Sequence, residues 1–234
     1  MKQSPRYLDP LIQDAFQELD KLEDAGSRES ALAVILWTLV HGDPDVVRKH
    51  LPSISLPWPR YELWSELYAA HGEESDMNSL QAVVPDDGFP DPREIASHID
   101  ELRFKIGTGW RSEPNRPVLT SSHRVKMLAR SSKRLVEFQQ MSAPPTFLFN
   151  EMCLRITYGD AAAVAKARGL ATDAEMRDMI VASVAKAHAH NGSPMRARKT
   201  LGHVALPENR IAVMTLIACV ECELGMQQPV ALQH

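Results

Sequence analysis

The sequence predicts an all-α protein, an α-solenoid of antiparallel helix pairs, from two patterns. The first is a frame written twice. GDPDVVRKHLPSISLPWPR (42–60) and GSPMRARKTLGHVALPENR (192–210) lie 150 residues apart and agree without a gap at eight of nineteen positions. The second is a glycine period. Gly159, Gly192 and Gly225 are 33 residues apart, and Arg177 follows Gly159 at the same interval as Arg60 follows Gly42 and Arg210 follows Gly192.

Each frame spells out two helices. Asp43-Pro44 and Ser193-Pro194 are capping residues followed by a proline suited to the first helical position. The short helix then stops before Pro52 or Gly202. Val47, Leu51 and Ile54, matched by Ala197, Leu201 and Val204, share one face by their spacing of four and three. A second helix opens at Pro57 or Pro207. It carries Leu63, Leu67 and Ala70 in one copy, and Val213, Ile217 and Val220 in the other. A pair with one apolar side cannot bury itself, so it must stack on a neighbour. Gly159-Asp160, with Asp173 as the cap of a following helix, continues the series. Residues 125–141 and 147–158 fit the same plan.

The frame resembles tetratricopeptide-like repeats, helix-turn-helix units of about 34 residues, in a degenerate bacterial form over 30–72 and 125–225. That resemblance implies a scaffold that binds other proteins.

The remaining elements follow in order. Asp9-Pro10 opens a helix with a stripe of Leu11, Ile12, Ala15, Phe16, Leu19 and Leu22, closed at Gly26. Residues 30–41 (SALAVILWTLVH) are apolar all round and predict a helix buried between neighbours. Residues 73–121 form an irregular, loop-rich insertion with prolines at 85, 90, 92, 114 and 117. One helix, about 91–106, interrupts it, with a capping box at Asp91–Glu94 and Ile95, Ile99, Leu102 and Ile106 on one face. GTGWRSEPNRPVLTSS (107–122) predicts a long exposed loop. The domain plan is therefore 1–72 (N-terminal helices and first repeat), 73–121 (insertion), 122–225 (tandem pairs) and 226–234 (tail). The last helix has no following helix, which predicts an exposed apolar end, a partner or a homodimer.

Composition narrows the function. The chain has 234 residues, is 44% hydrophobic and carries a net charge of −4, with pI near 6.1. That charge argues against a nucleic-acid binder held by bulk positive charge. The start, MKQSPRYLDPLIQDAF, is not a secretory signal, and no apolar run is long enough to span a bilayer. Three cysteines suit a reducing, cytoplasmic setting.

No nucleophile elbow, zincin, P-loop or dinucleotide motif is present, so no catalytic residue, metal ligand or cofactor is assigned. Cys219-Val-Glu-Cys222 lies inside a predicted helix with no second ligand pair. His188 and His190 point about 200° apart on a helix and cannot share a metal. Arg60, Arg177 and Arg210, in the first turn of a helix where a cation is disfavoured, predict a salt bridge or carbonyl contact between helix pairs.

Partner binding is assigned to Arg48, Lys49, Trp58, Trp110, Arg111, Lys166, Arg198 and Lys199. Arg48, Lys49, Lys166, Arg198 and Lys199 lie on short helices and stack into a positive stripe suited to an acidic peptide, and Arg111 lies in the 107–122 loop. The tryptophans occupy connecting segments, where an exposed indole marks an interface. The function expected is a non-enzymatic adaptor or chaperone that takes a partner's peptide or helix in a helical-repeat groove. The alternatives are a helical enzyme or bacterial effector with a site assembled from scattered histidines and carboxylates, and a helical-repeat RNA binder.

Overall fold

A computed structural model of the chain describes residues 4–83, 92–114 and 116–226. Among these residues are twelve α-helices and no strand, as the all-α reading expects. Two compact units divide the chain, Met1–Asn115 and Arg116–His234. Asp91, the expected cap of the insertion helix, and all of the tail but Met226 lie outside the described residues.

The first unit contains α1 (Pro10–Leu19), α2 (Ala25–Leu39), α3 (Pro44–His50), a 3-10 turn (Leu51–Ser53), α4 (Pro57–His71), α5 (Glu74–Ala82) and α6 (Pro92–Gly107). The second contains α7 (Ser121–Gln140), α8 (Pro145–Thr157), α9 (Ala162–Leu170), α10 (Ala174–His190), α11 (Pro194–Leu201) and α12 (Pro207–Glu223). Proline opens α1, α3, α4, α8, α11 and α12. Its fixed φ and missing N–H cost nothing at a first helical position.

Helix order repeats as long, short, long. In the first unit α2 touches α3 and α4, and α4 touches α5. In the second, α8 touches α9 and α10, and α10 touches α11 and α12. The cores are made where long helices meet. Ile35, Leu36, Leu39, Leu63 and Leu67 are fully buried in the first unit. In the second, Phe149, Met152, Cys153 and Ile156 of α8 close on Ala163 and Ala167 of α9 and on Ile180 of α10. Each large apolar side chain so buried contributes about 1.5–3 kcal/mol.

The 33-residue glycines all adopt left-handed backbone, with φ of +93° at Gly159, +68° at Gly192 and +68° at Gly225. They directly follow α8, α10 and α12, where a side chain would strain the turn. Gly42, the counterpart of Gly192, is not left-handed. There the backbone carbonyl of Pro5 occupies the space a Cβ would need. The same letter serves two physical purposes.

Several expectations are corrected. α1 ends at Leu19, and Gly26 sits in the first turn of α2, because Asp24 caps that helix by accepting the Ser27 N–H. α2 is only half enclosed: Val34 and Trp37 remain exposed. Neither Asp43 nor Ser193 makes a side-chain cap; the Asp43 carboxylate accepts the Tyr7 N–H instead. The insertion holds a second helix, α5, whose short stripe of Met77 and Leu80 gave little periodic signal.

The apolar residues of α12 itself are covered, whereas Leu224 and Met226 just past it are exposed. Val213, Met214, Ile217 and Val220 are buried, and α12 packs on both α10 and α11. Residues 107–122 are not a free loop, as the contacts of Arg111, Ser112 and Pro117–Leu119 below show. Among the described residues no helix is long and apolar enough to cross a membrane.

Candidate docking surface

The repeated frame places an arginine at the same point of both short helices, and each forms a two-pronged pair. Arg48 of α3 donates from Nε and one amino nitrogen to Asp76 of α5, both at 2.8 Å. Arg198 of α11 donates to Glu221 of α12 at 2.6 and 2.7 Å. Arg134 of α7 grips Glu151 of α8 in the same way, at 2.9 and 3.0 Å. All three carboxylates are buried. These fork-to-fork bonds tie helices within a unit. Arg48 and Arg198, assigned to a partner from sequence, are therefore engaged inside the chain.

A second shared device closes the start of α4 and α12. The residues just before these helices, Leu56 and Leu206, have no capping side chain. A carboxylate from the preceding long helix substitutes. Glu29 of α2 accepts the N–H groups of Ser55 and Leu56 at 2.8 and 3.0 Å. Asp178 of α10 accepts those of Ala205 and Leu206 at 2.6 and 3.2 Å, and the amide of Asn209 at 2.8 Å. Arg210 then donates to the carbonyls of Leu201 and Val204, at 3.4 and 3.1 Å, across the end of α11. It satisfies acceptors left by the short helix of its own pair.

These internal bonds shape the surface charge. The first unit holds 11 Lys and Arg against 21 Asp and Glu, net −10; the second holds 15 against 9, net +6. In the second unit Glu151, Asp160 and Glu221 hold arginines. Asp173, Asp178 and Glu223 hold backbone N–H groups. Several of its cations, by contrast, have no ion-pair partner among the described residues. α9 and α11 contain no carboxylate. Lys133, Lys166 and Lys199 follow the 33-residue period on α7, α9 and α11, and all three are exposed. Lys133 has Glu137 at 3.9 Å, whereas Lys166 and Lys199 have no ion-pair partner among the described residues. Arg168 and Arg196 are likewise exposed.

The other assigned residues are divided between the two units. Arg48, Lys49, Trp58, Trp110 and Arg111 belong to the first unit; Lys166, Arg198 and Lys199 belong to the second. Lys49 is exposed on α3. Trp58 lies in the first turn of α4 rather than in a connection, and stacks on Tyr61 with ring centroids 5.6 Å apart. Trp110 is 43% exposed with the Lys105 ammonium 5.5 Å from its ring centroid. Arg111 folds back: its guanidinium donates to the Ile106 and Trp110 carbonyls at 3.2 and 2.7 Å and lies against Gly72. Ser112 continues the strap, donating from its N–H to the Ala69 carbonyl at 2.8 Å and from its hydroxyl to Glu66 at 2.9 Å.

Buried Cys153 and the half-buried Lys186 and His190 lie on the long helices of the second unit. Cys153, Lys186 and Cys219 are equivalent by the 33-residue period, as are His190 and Glu223. Burial pushes the Cys153 thiol up, although a bond with Ser183 opposes this. Burial pushes the half-buried Lys186 ammonium down. His190 is lowered chiefly by burial, with the Pro117 carbonyl opposing. Residues 117–119 lie across this end: His190 Nδ1 is 2.6 Å from the Pro117 oxygen, Leu119 N–H donates to the His190 carbonyl at 2.9 Å, and Val118 N–H to Glu223 at 3.0 Å.

Among the described residues, no group of three His, Cys, Asp or Glu side chains is placed to hold a metal ion. No protein-family model matches the chain, and neither do curated proteins or solved structures.

Proposed function

We propose that the protein is a non-enzymatic, cytoplasmic adaptor built as a tetratricopeptide-like α-solenoid of antiparallel helix pairs. It binds an acidic segment of a partner protein. The observation that carries this reading is the uncompensated cationic face of the second unit. Lys166 and Lys199 recur at the repeat period on helices without a carboxylate, while most of the unit's acids are held in internal bonds. Lysines on successive short helices offer several points of attachment to an extended acidic ligand. Electrostatic docking of this kind acts through association rate and specificity, and weakens with salt.

Fluorescence anisotropy with a labelled oligoglutamate peptide tests it. Binding should be saturable at low salt and weaken by about tenfold or more in Lys166→Glu/Lys199→Glu. Binding indifferent to both salt and charge reversal sinks the proposal. The +6 charge of the second unit also favours RNA. An oligonucleotide that outcompetes the peptide would move the reading to a helical-repeat RNA binder, although α9 and α11 offer no aromatic ring for base stacking.

A further inference from the structure

We infer that the ligand of this cationic face is the acidic half of a second copy of the chain, docked head to tail. The inference rests on the docking role given to α9 and α11 above. Its ground is charge complementarity within one sequence: a unit of net −10 joined to one of net +6. The positive residues involved, Lys166 and Lys199, are exposed and have no ion-pair partner among the described residues.

The negative half also keeps acids in solvent. Asp20, Glu23 and Asp24 are exposed between α1 and α2, and Glu73 and Glu74 are exposed at the start of α5. Two copies approaching with opposite units facing are attracted before contact, and like units repel. Such a contact joins different surfaces of the two copies. A pair joined by one such contact keeps one free face of each sign, through which it can add further copies.

Sedimentation velocity over a concentration series tests this with the full chain, in about 50 mM and about 500 mM salt, where screening lengths differ severalfold. Wild type should gain mass with concentration at low salt and return to monomer at high salt. Lys166→Glu/Lys199→Glu, with an unchanged circular dichroism spectrum, should stay monomeric alone. That variant keeps its acidic half, so it should still bind wild type and shorten its assemblies. A variant that neither self-associates nor binds wild type overturns the head-to-tail geometry. A wild type that is monomeric at low salt overturns self-association. If that monomer still binds oligoglutamate in a salt- and lysine-dependent way, the docking face stands and only the second copy is excluded as its ligand. If it binds neither, both readings fall.

Discussion

Replacing Arg48 by Met isolates the energetics of the repeated arginine fork. Asp76 is 1% exposed and receives both prongs at 2.8 Å. Without Arg48 its carboxylate stays buried with its main countercharge removed. Breaking a buried pair from one side costs about 3–5 kcal/mol. The Arg48 side chain is 27% exposed, so water already shares its solvation and the lower end, about 3 kcal/mol, applies. The additional pair with Asp45, itself 95% exposed, adds almost nothing, as surface pairs do.

Replacing both partners, Arg48→Met with Asp76→Leu, should recover most of the loss, because an apolar pair of similar volume has no buried charge to compensate. The assay is urea denaturation read by tryptophan fluorescence, since Trp37, Trp58, Trp64 and Trp110 all lie in the first unit. The reasoning is refuted if the single variant loses less than about 1 kcal/mol, or if the double variant is as unstable as the single one.

Three other outcomes follow from the same contacts. Asp178→Ala should destabilise the second unit by about 2–3 kcal/mol, since it strips two amides and Asn209 of a charged acceptor; a calorimetric loss near zero would dissociate Asp178 from the start of α12. Gly192→Ala should cost about 1–2 kcal/mol through its left-handed backbone alone, whereas Gly42→Ala should be relieved by deleting residues 1–6; relief of both or of neither would contradict the two roles. His190 has a folded pKa below the ordinary 6.5, so the unfolded chain takes up the proton first: the contribution is intact above about pH 6.5, and stability falls as pH drops from there towards the folded value, by at most about 1.4 kcal/mol per pH unit. His190→Gln, which keeps a donor for the Pro117 carbonyl, should flatten that slope in equilibrium unfolding across pH 5–7.5; an unchanged slope assigns it to another group.

Periodicity and punctuation carried most of the fold. The glycine period marked the ends of α8, α10 and α12 because a left-handed turn accepts few other residues, and Asp173 was readable as a cap because it bonds three residues ahead, to Met176. Long-range contacts were not readable. Glu29 and Asp178 reach amides 26 to 28 residues away, and nothing local distinguishes them from solvated acids. Arg48 and Arg198 looked like free cations for the same reason: their acids arrive from α5 and from the far end of α12, at different offsets in the two copies. Lys166 and Lys199 were legible as charges, but their lack of compensation became visible only once the surrounding carboxylates had been located.

The borrowed carboxylate has a consequence for dividing the chain. α12 does not bring its own start: the group that accepts the two amides just before it belongs to α10, separated from it by a whole short helix. A fragment beginning at Pro194 would contain a complete helix pair by sequence, yet would leave the Ala205 and Leu206 N–H groups without their acceptor. The smallest piece that could be moved to another scaffold is thus three helices, α10 to α12, and the seam for cutting falls before Asp173 rather than at the turn after Gly192.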